Sequence, residues 1–248
     1  MENQENIFER IQEILGNFSG NLSILEHQID VKLQIEYFDF SRNVRRDFDP
    51  AIILNQEPDL YNPEIDIDAK RELLVSLASI ERPEAYRVIE RYLQYAPVEM
   101  RDWAILALQE SKMLLESKLL EENQVFISTG LGGSNGKLRY FIALFSESSN
   151  EFSDIQRNII KSEFDFIFPK YEAEVEKIEF YSNYVTIVAL IPLNIPVKDP
   201  ISVAIDECNT LGNFIKQGYL ITNVKILSAI EIDNLLNNIP PEDILPLE

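Results

Sequence analysis

Residues 121–146 read EENQVFISTGLGGSNGKLRYFIALFS. As far as Glu121-Glu122-Asn123-Gln124, apolar residues recur three and four positions apart, the period of an amphipathic helix. From Val125 onward they come in short, β-rich runs bounded by turn residues. The change of period predicts an α+β chain with a boundary at this point: a helical domain over residues 1–122 and a mixed β-sheet domain over 123–248.

Downstream of the boundary, Val125–Leu131 and Leu138–Ser146 read as strands joined by Gly132-Gly133-Ser134-Asn135-Gly136. A helix follows over 152–168, closed by Pro169. Two strands over 174–181 and 184–192 form a hairpin about Ser182-Asn183. A second helix over 200–214 carries proline in its first turn. A strand over 219–227 and a short helix over 228–237 complete the series. The order is ββα-ββα-β. With the first strand taken as an addition, the rest is β-α-β-β-α-β, the ferredoxin-like order.

Upstream, Ile7, Ile11, Ile14, Leu15 and Phe18 fall on one stripe and predict a helix over 3–18. Residues 22–44 fit two templates. Ile29, Val31, Leu33, Ile35 and Tyr37 alternate as in a strand, while Leu22, Leu25, Ile29, Leu33, Tyr37, Phe40 and Val44 keep a helical spacing; helix is preferred. Asp66 or Asp68 caps a helix ending near Ile80, Arg82-Pro83-Glu84 opens a second, and Ala96-Pro97-Val98-Glu99 a third. The third is apolar nearly all round from Trp103 to Leu108, the mark of a buried helix.

Arg71-Glu72-Leu73-Leu74-Val75-Ser76-Leu77-Ala78 aligns with Arg101-Asp102-Trp103-Ala104-Ile105-Leu106-Ala107-Leu108, with the proline-started segment Arg82–Leu93 between. This pattern, over about residues 66–120, resembles the HEAT-like, armadillo-type helical repeat. The resemblance implies a scaffold that stacks helix pairs and exposes a binding surface; it implies no chemistry.

Several classes of function are argued against by composition. Of 248 residues, one is cysteine and one histidine, which removes disulfide frameworks, multi-Cys zinc sites and His-rich metal centres. The formal charge is −20, spread as −12 over residues 1–124 and −8 over 125–248, and it opposes a phosphate backbone. No nucleic-acid partner is therefore expected. No apolar run approaches the ~20 residues that span a bilayer, and the acidic start lacks the features of a secretory signal. The chain reads as cytoplasmic, without a membrane partner.

The most suggestive loop is Thr129–Lys137. Backbone N–H groups of Gly130, Gly132, Gly133 and Asn135, together with Lys137 and Arg139, could contact an anion or a partner. The same residues suit a hairpin turn, because Asn135-Gly136 accepts positive φ, and Gly136-Lys137 leads into a strand rather than the helix a phosphate loop needs. Tyr140, Phe141 and Phe145 read as core. Acidic triplets such as Glu172/Glu174/Glu176 lack a calcium-loop pattern and read as solvated faces. His27 has no nucleophile motif nearby, and Cys208 reads as a packed thiol. Accordingly no catalytic residue, metal ligand or cofactor is assigned. The expected function is a non-catalytic protein-protein interaction adaptor or regulator, whose partner is another protein. The alternative is a small-ligand sensor or enzyme that uses the glycine-rich loop.

Overall fold

The computed structural model describes residues 22–44, 48–121 and 125–236. The expected helix over 3–18 lies outside these residues. The chain is α+β, and it divides into two compact units between Ser128 and Thr129.

In the helical unit, β1 (Leu22–Ile24) is followed by α1 (Val31–Asn43), α2 (Pro50–Asn55), a 3-10 turn (Glu57–Leu60), α3 (Ile67–Ala78), α4 (Pro83–Tyr95), α5 (Val98–Leu120) and β2 (Val125–Ile127). Capping sets these boundaries. The Asp30 carboxylate accepts from the N–H groups of Lys32 and Leu33, so the ambiguous segment turns helical only from Val31. Asp66 caps α3 through Ala69 N at 2.8 Å. Pro83 occupies the first turn of α4, where its missing N–H costs nothing.

Leu22–Ile24 departs from the helical reading. It pairs in parallel with β2, Leu22 opposite Val125 and Ile24 opposite Ile127. This pairing draws residues 125–127 into the helical unit, which therefore reaches Ser128 rather than ending at residue 122.

Helix α5 is the axis of this unit, with α1, α3 and α4 all packed against it. Trp103 is 1% exposed. Tyr37 and Phe40 meet its ring edge-on at 5.1 and 5.6 Å between centroids. The Arg71 guanidinium lies 4.7 Å from the ring centre, and the indole N–H donates to the Arg71 carbonyl. Among the described residues, the Glu110 carboxylate enters this core. Glu110 accepts from the hydroxyls of Tyr37 at 2.6 Å and Ser41 at 2.8 Å, so its burial is compensated.

The second unit contains β3 (Gly133–Ser134), β4 (Lys137–Ser146), α6 (Asp154–Ile167), a 3-10 turn (Phe168–Tyr171), β5 (Glu174–Phe180), β6 (Tyr184–Pro192), α7 (Lys198–Thr210), β7 (Ile215–Thr222) and α8 (Ala229–Leu236). Its sheet is antiparallel. β4 lies between β6 and β7, β5 lies outside β6, and the short β3 pairs with the start of β4. Side chains alternate across the sheet. Ile142, Leu144, Val185 and Ile187 join Ile160, Phe164, Ile201 and Ile205 of α6 and α7 in one core. Phe141, Ala143, Phe145 and Tyr184 belong to a second, smaller core with Leu131 and Ile232.

Replacing Trp103 with alanine removes a buried indole against three packed partners. The expected loss is about 3–5 kcal/mol, read as a lower urea midpoint by far-UV circular dichroism, with the slope unchanged.

Candidate functional site

The second face of the sheet has a cleft, and the strand registers explain why. Cross-strand neighbours on this face form three rows. Lys177, Val188 and Phe141 make one, Glu179, Thr186 and Ala143 the next, and Tyr184 with Phe145 the third. Tyr181, just past β5, donates its N–H to the Tyr184 carbonyl and extends the third row. The outer rows carry large side chains, and inward of Glu179 on the edge strand the middle row carries only threonine and alanine. The result is a cleft of about 150 Å³ whose lining includes Tyr181, Tyr184, Thr186 and Val188 on the sheet side, and Leu227, Ser228 and Ile232 across from them.

Aromatic and ionisable groups share this lining. The rings of Tyr181 and Tyr184 are nearly parallel, 15° apart with centroids at 4.7 Å. Desolvation, then the neighbouring Tyr181 and Asp233, raise the Tyr184 hydroxyl above the usual tyrosine value. Lys177, two residues from Glu179 and so on the same face of β5, is ion-paired with it at 2.8 Å.

The far wall is held by the start of α8. Ser228 and Glu231 form a reciprocal cap. The Ser228 N–H and hydroxyl both donate to the Glu231 carboxylate, and the Glu231 N–H donates to the Ser228 hydroxyl. Lys225 reaches the same carboxylate at 2.6 Å. The lysine, followed by the serine donors, brings the Glu231 carboxyl down to about 2.

The glycine-rich loop supports this wall from behind. Leu131 N–H donates to the Asn223 carbonyl. A Cβ on Gly130 would lie 1.7 Å from the Val224 carbonyl oxygen, so only glycine permits the approach. Gly132 N–H donates to the Thr129 carbonyl, and the Gly132 carbonyl accepts from Arg139 N–H. Gly133 lies in β3. Asn135 and Gly136 have φ of 51° and 77°, the two positive values a tight two-residue hairpin requires.

Both basic residues of this region are engaged by the acidic triplet. Lys137 is ion-paired with Glu174. Arg139 grips Glu176 with two bonds at 2.6 and 2.8 Å, and its remaining arm donates to the Leu131 carbonyl at 2.8 Å. Gly130, Gly132, Gly133, Asn135, Lys137 and Arg139 are thus brought together as a brace. Lys137 and Arg139 bond to Glu174 and Glu176, and Leu131 among the glycines bonds to Asn223.

Reasoning from sequence did not single out Lys177, Glu179, Tyr181, Tyr184 or Thr186 as a group. The signal was present as a period of two on both arms of the hairpin about Ser182-Asn183. The wall contributed by α8 has no such signal. His27 lies exposed in the loop between β1 and α1 instead of on a helix. Cys208 is buried, and desolvation, with Glu163 adding to it, pushes its thiol up to about 12. Among the described residues no group of three or more His, Cys, Asp or Glu could hold a metal ion, and no helix is long and apolar enough to cross a membrane.

No family model matches the chain. No curated protein matches it either. Solved structures do. A protein designated a transposase from Deinococcus radiodurans R1 is 14% identical with a TM-score of 0.37, covering 43% of this chain and 94% of its own. A REP-associated tyrosine transposase bound to a REP hairpin is 6% identical with a TM-score of 0.32, covering 42% of this chain and 70% of its own.

Both neighbours are transposases and one is bound to a REP hairpin, against the expected non-catalytic interaction adaptor without a nucleic-acid partner. A net charge is a sum over the chain whereas a binding face is local, so the −20 total does not by itself decide what one face meets. At these TM-scores the likeness brings no reaction to this chain.

Two outcomes are expected at the cleft wall. Gly130→Ala forces the 223–224 segment outward, at a cost on the order of 1–3 kcal/mol, and broadens the NMR signals of Leu227 and Ile232. The depressed Glu231 carboxyl stabilises the fold above its usual value near 4.5, and that contribution is lost as pH falls toward about 2. Amide protection factors in α8, taken relative to the intrinsic exchange rate at each pH, therefore fall as pH drops through this window in the wild type, and Glu231→Gln flattens the dependence.

Proposed function

We propose that the sheet unit is a small-ligand sensor and that its ligand lies in the cleft between β5, β6 and α8. The observation that carries this reading is the deficit of side-chain volume in the middle row. Thr186, next to Glu179 of the edge strand, stands in the lining between Tyr184 and Val188 of its own strand, where close packing would call for a larger side chain. A concave, mostly apolar lining with a few converging polar groups is the usual form of a ligand site. The glycine-rich loop serves the site indirectly, by bracing the wall through Gly130, Leu131 and Arg139.

The reading favours binding over catalysis because the ionisable groups of the lining are matched, Lys177 to Glu179. Signalling would follow from the wall. A ligand in the cleft touches the start of α8, whose position depends on the Ser228–Glu231 cap.

A fragment library screened against the methyl signals of Val188 and Ile232 tests this. Compounds that shift these methyls are expected, and Thr186→Leu, which fills the cleft from its floor, should abolish the shifts while leaving the melting temperature within a few degrees. Fragments whose binding is indifferent to Thr186→Leu, or that shift only methyls elsewhere, would refute the assignment.

A further inference from the structure

The dimensions and chemistry of the cleft narrow what it takes, on the reading that it is a ligand site. Its volume is about 150 Å³. Sites for drug-sized molecules hold roughly 300–1,000 Å³, whereas a cavity on the order of 150 Å³ accepts benzene. One compact ring fits; a ring carrying a sugar and phosphates does not.

Charge excludes a second class. An anion needs a cation to receive it, and the two lysines of this region are held by carboxylates, Lys177 by Glu179 and Lys225 by Glu231. Asp233 adds negative potential at Tyr184. A phosphate or carboxylate would displace existing ion pairs to bind. A purely aliphatic ligand fits poorly as well, since it would strip water from the Thr186 and Ser228 hydroxyls and the Glu179 carboxylate without replacing its hydrogen bonds.

What remains is a planar, uncharged ring with polar edges. Its flat face suits the outer face of the Tyr181–Tyr184 pair, whose rings stack on each other and both line the cleft, so that the ligand would extend the stack. Its edge donors and acceptors suit Thr186, Ser228 and Glu179. We infer that the cleft binds a single uncharged nitrogen heterocycle of the pyrimidine-base class, stacked on the tyrosine wall.

The test uses the full chain and saturation-transfer NMR with cytosine, uracil, inorganic phosphate, hexanoate and a short single-stranded oligonucleotide. Cytosine or uracil should receive saturation and shift the Val188 and Ile232 methyls. Tyr181→Ala should weaken that binding at least tenfold and Tyr181→Phe, which keeps the ring, should restore it. Tyr181 is 43% exposed, so neither variant threatens the fold, and a melting curve checks this. Phosphate or hexanoate shifting the methyls while the bases do not would overturn the heterocycle and leave the ligand site standing. The oligonucleotide binding where the free bases fail would overturn the compact ligand. Silence from every probe, with the fragment screen also silent, would remove both.

Discussion

Strand β4 must satisfy two apolar surroundings at once, and the architecture of the sheet unit follows from that demand. It is central, paired on one side with β6 and on the other with β7. Its even-numbered residues Ile142 and Leu144 meet the helices α6 and α7, and its odd-numbered residues Phe141, Ala143 and Phe145 meet the smaller core. A slip of one position would exchange the two sets. The register that protects the larger core therefore also sets Ala143 beside Thr186, and the cleft on the other face is a consequence of the same alignment.

Arg139 carries the effect from the strand to its surroundings. It stands on the face of β4 that bears Phe141 and Ala143, and its fork joins Glu176 on β5 to the Leu131 carbonyl in the glycine-rich loop. Charge-assisted bonds of this kind are roughly twice as strong as neutral ones. The register of β5 against β6 shifts between Val175 and Lys177, on either side of Glu176, so the irregularity serves the bond. Loop, bulge and cleft wall thus share one anchor, and a lysine at this position, with a single point of charge, could not hold both partners in the same way.

Much of this was legible in the residues. The change of period near residue 124, the hairpin about Ser182-Asn183, proline at the starts of α4 and α5, and the Asp66 cap are local signals, and local signals survive translation into structure. The strand Leu22–Ile24 was not legible, because its partner lies at Val125–Ile127 and three residues have too little pattern to announce a parallel pairing. The ambiguity over Ile29–Tyr37 was settled by a single carboxylate, Asp30, which competes for the first helical N–H groups. The candidate site was half legible. Both arms of its hairpin show the alternation of two, but nothing in residues 223–232 tells which face they cover. The loop that drew attention for its glycines matters for close approach to Val224 rather than for an exposed ring of N–H groups.

The β1–β2 pair has a kinetic meaning. Leu22 and Val125 are 103 positions apart, and the helices α1 to α5 lie between them. Helical contacts span short separations, whereas a parallel pair this remote adds contacts of the long-range kind that slow folding. The entropic charge for closing so long a loop rises only with the logarithm of its length, so the penalty falls on the rate far more than on the final stability. The helical unit is in this sense a ring closed by a three-residue clasp.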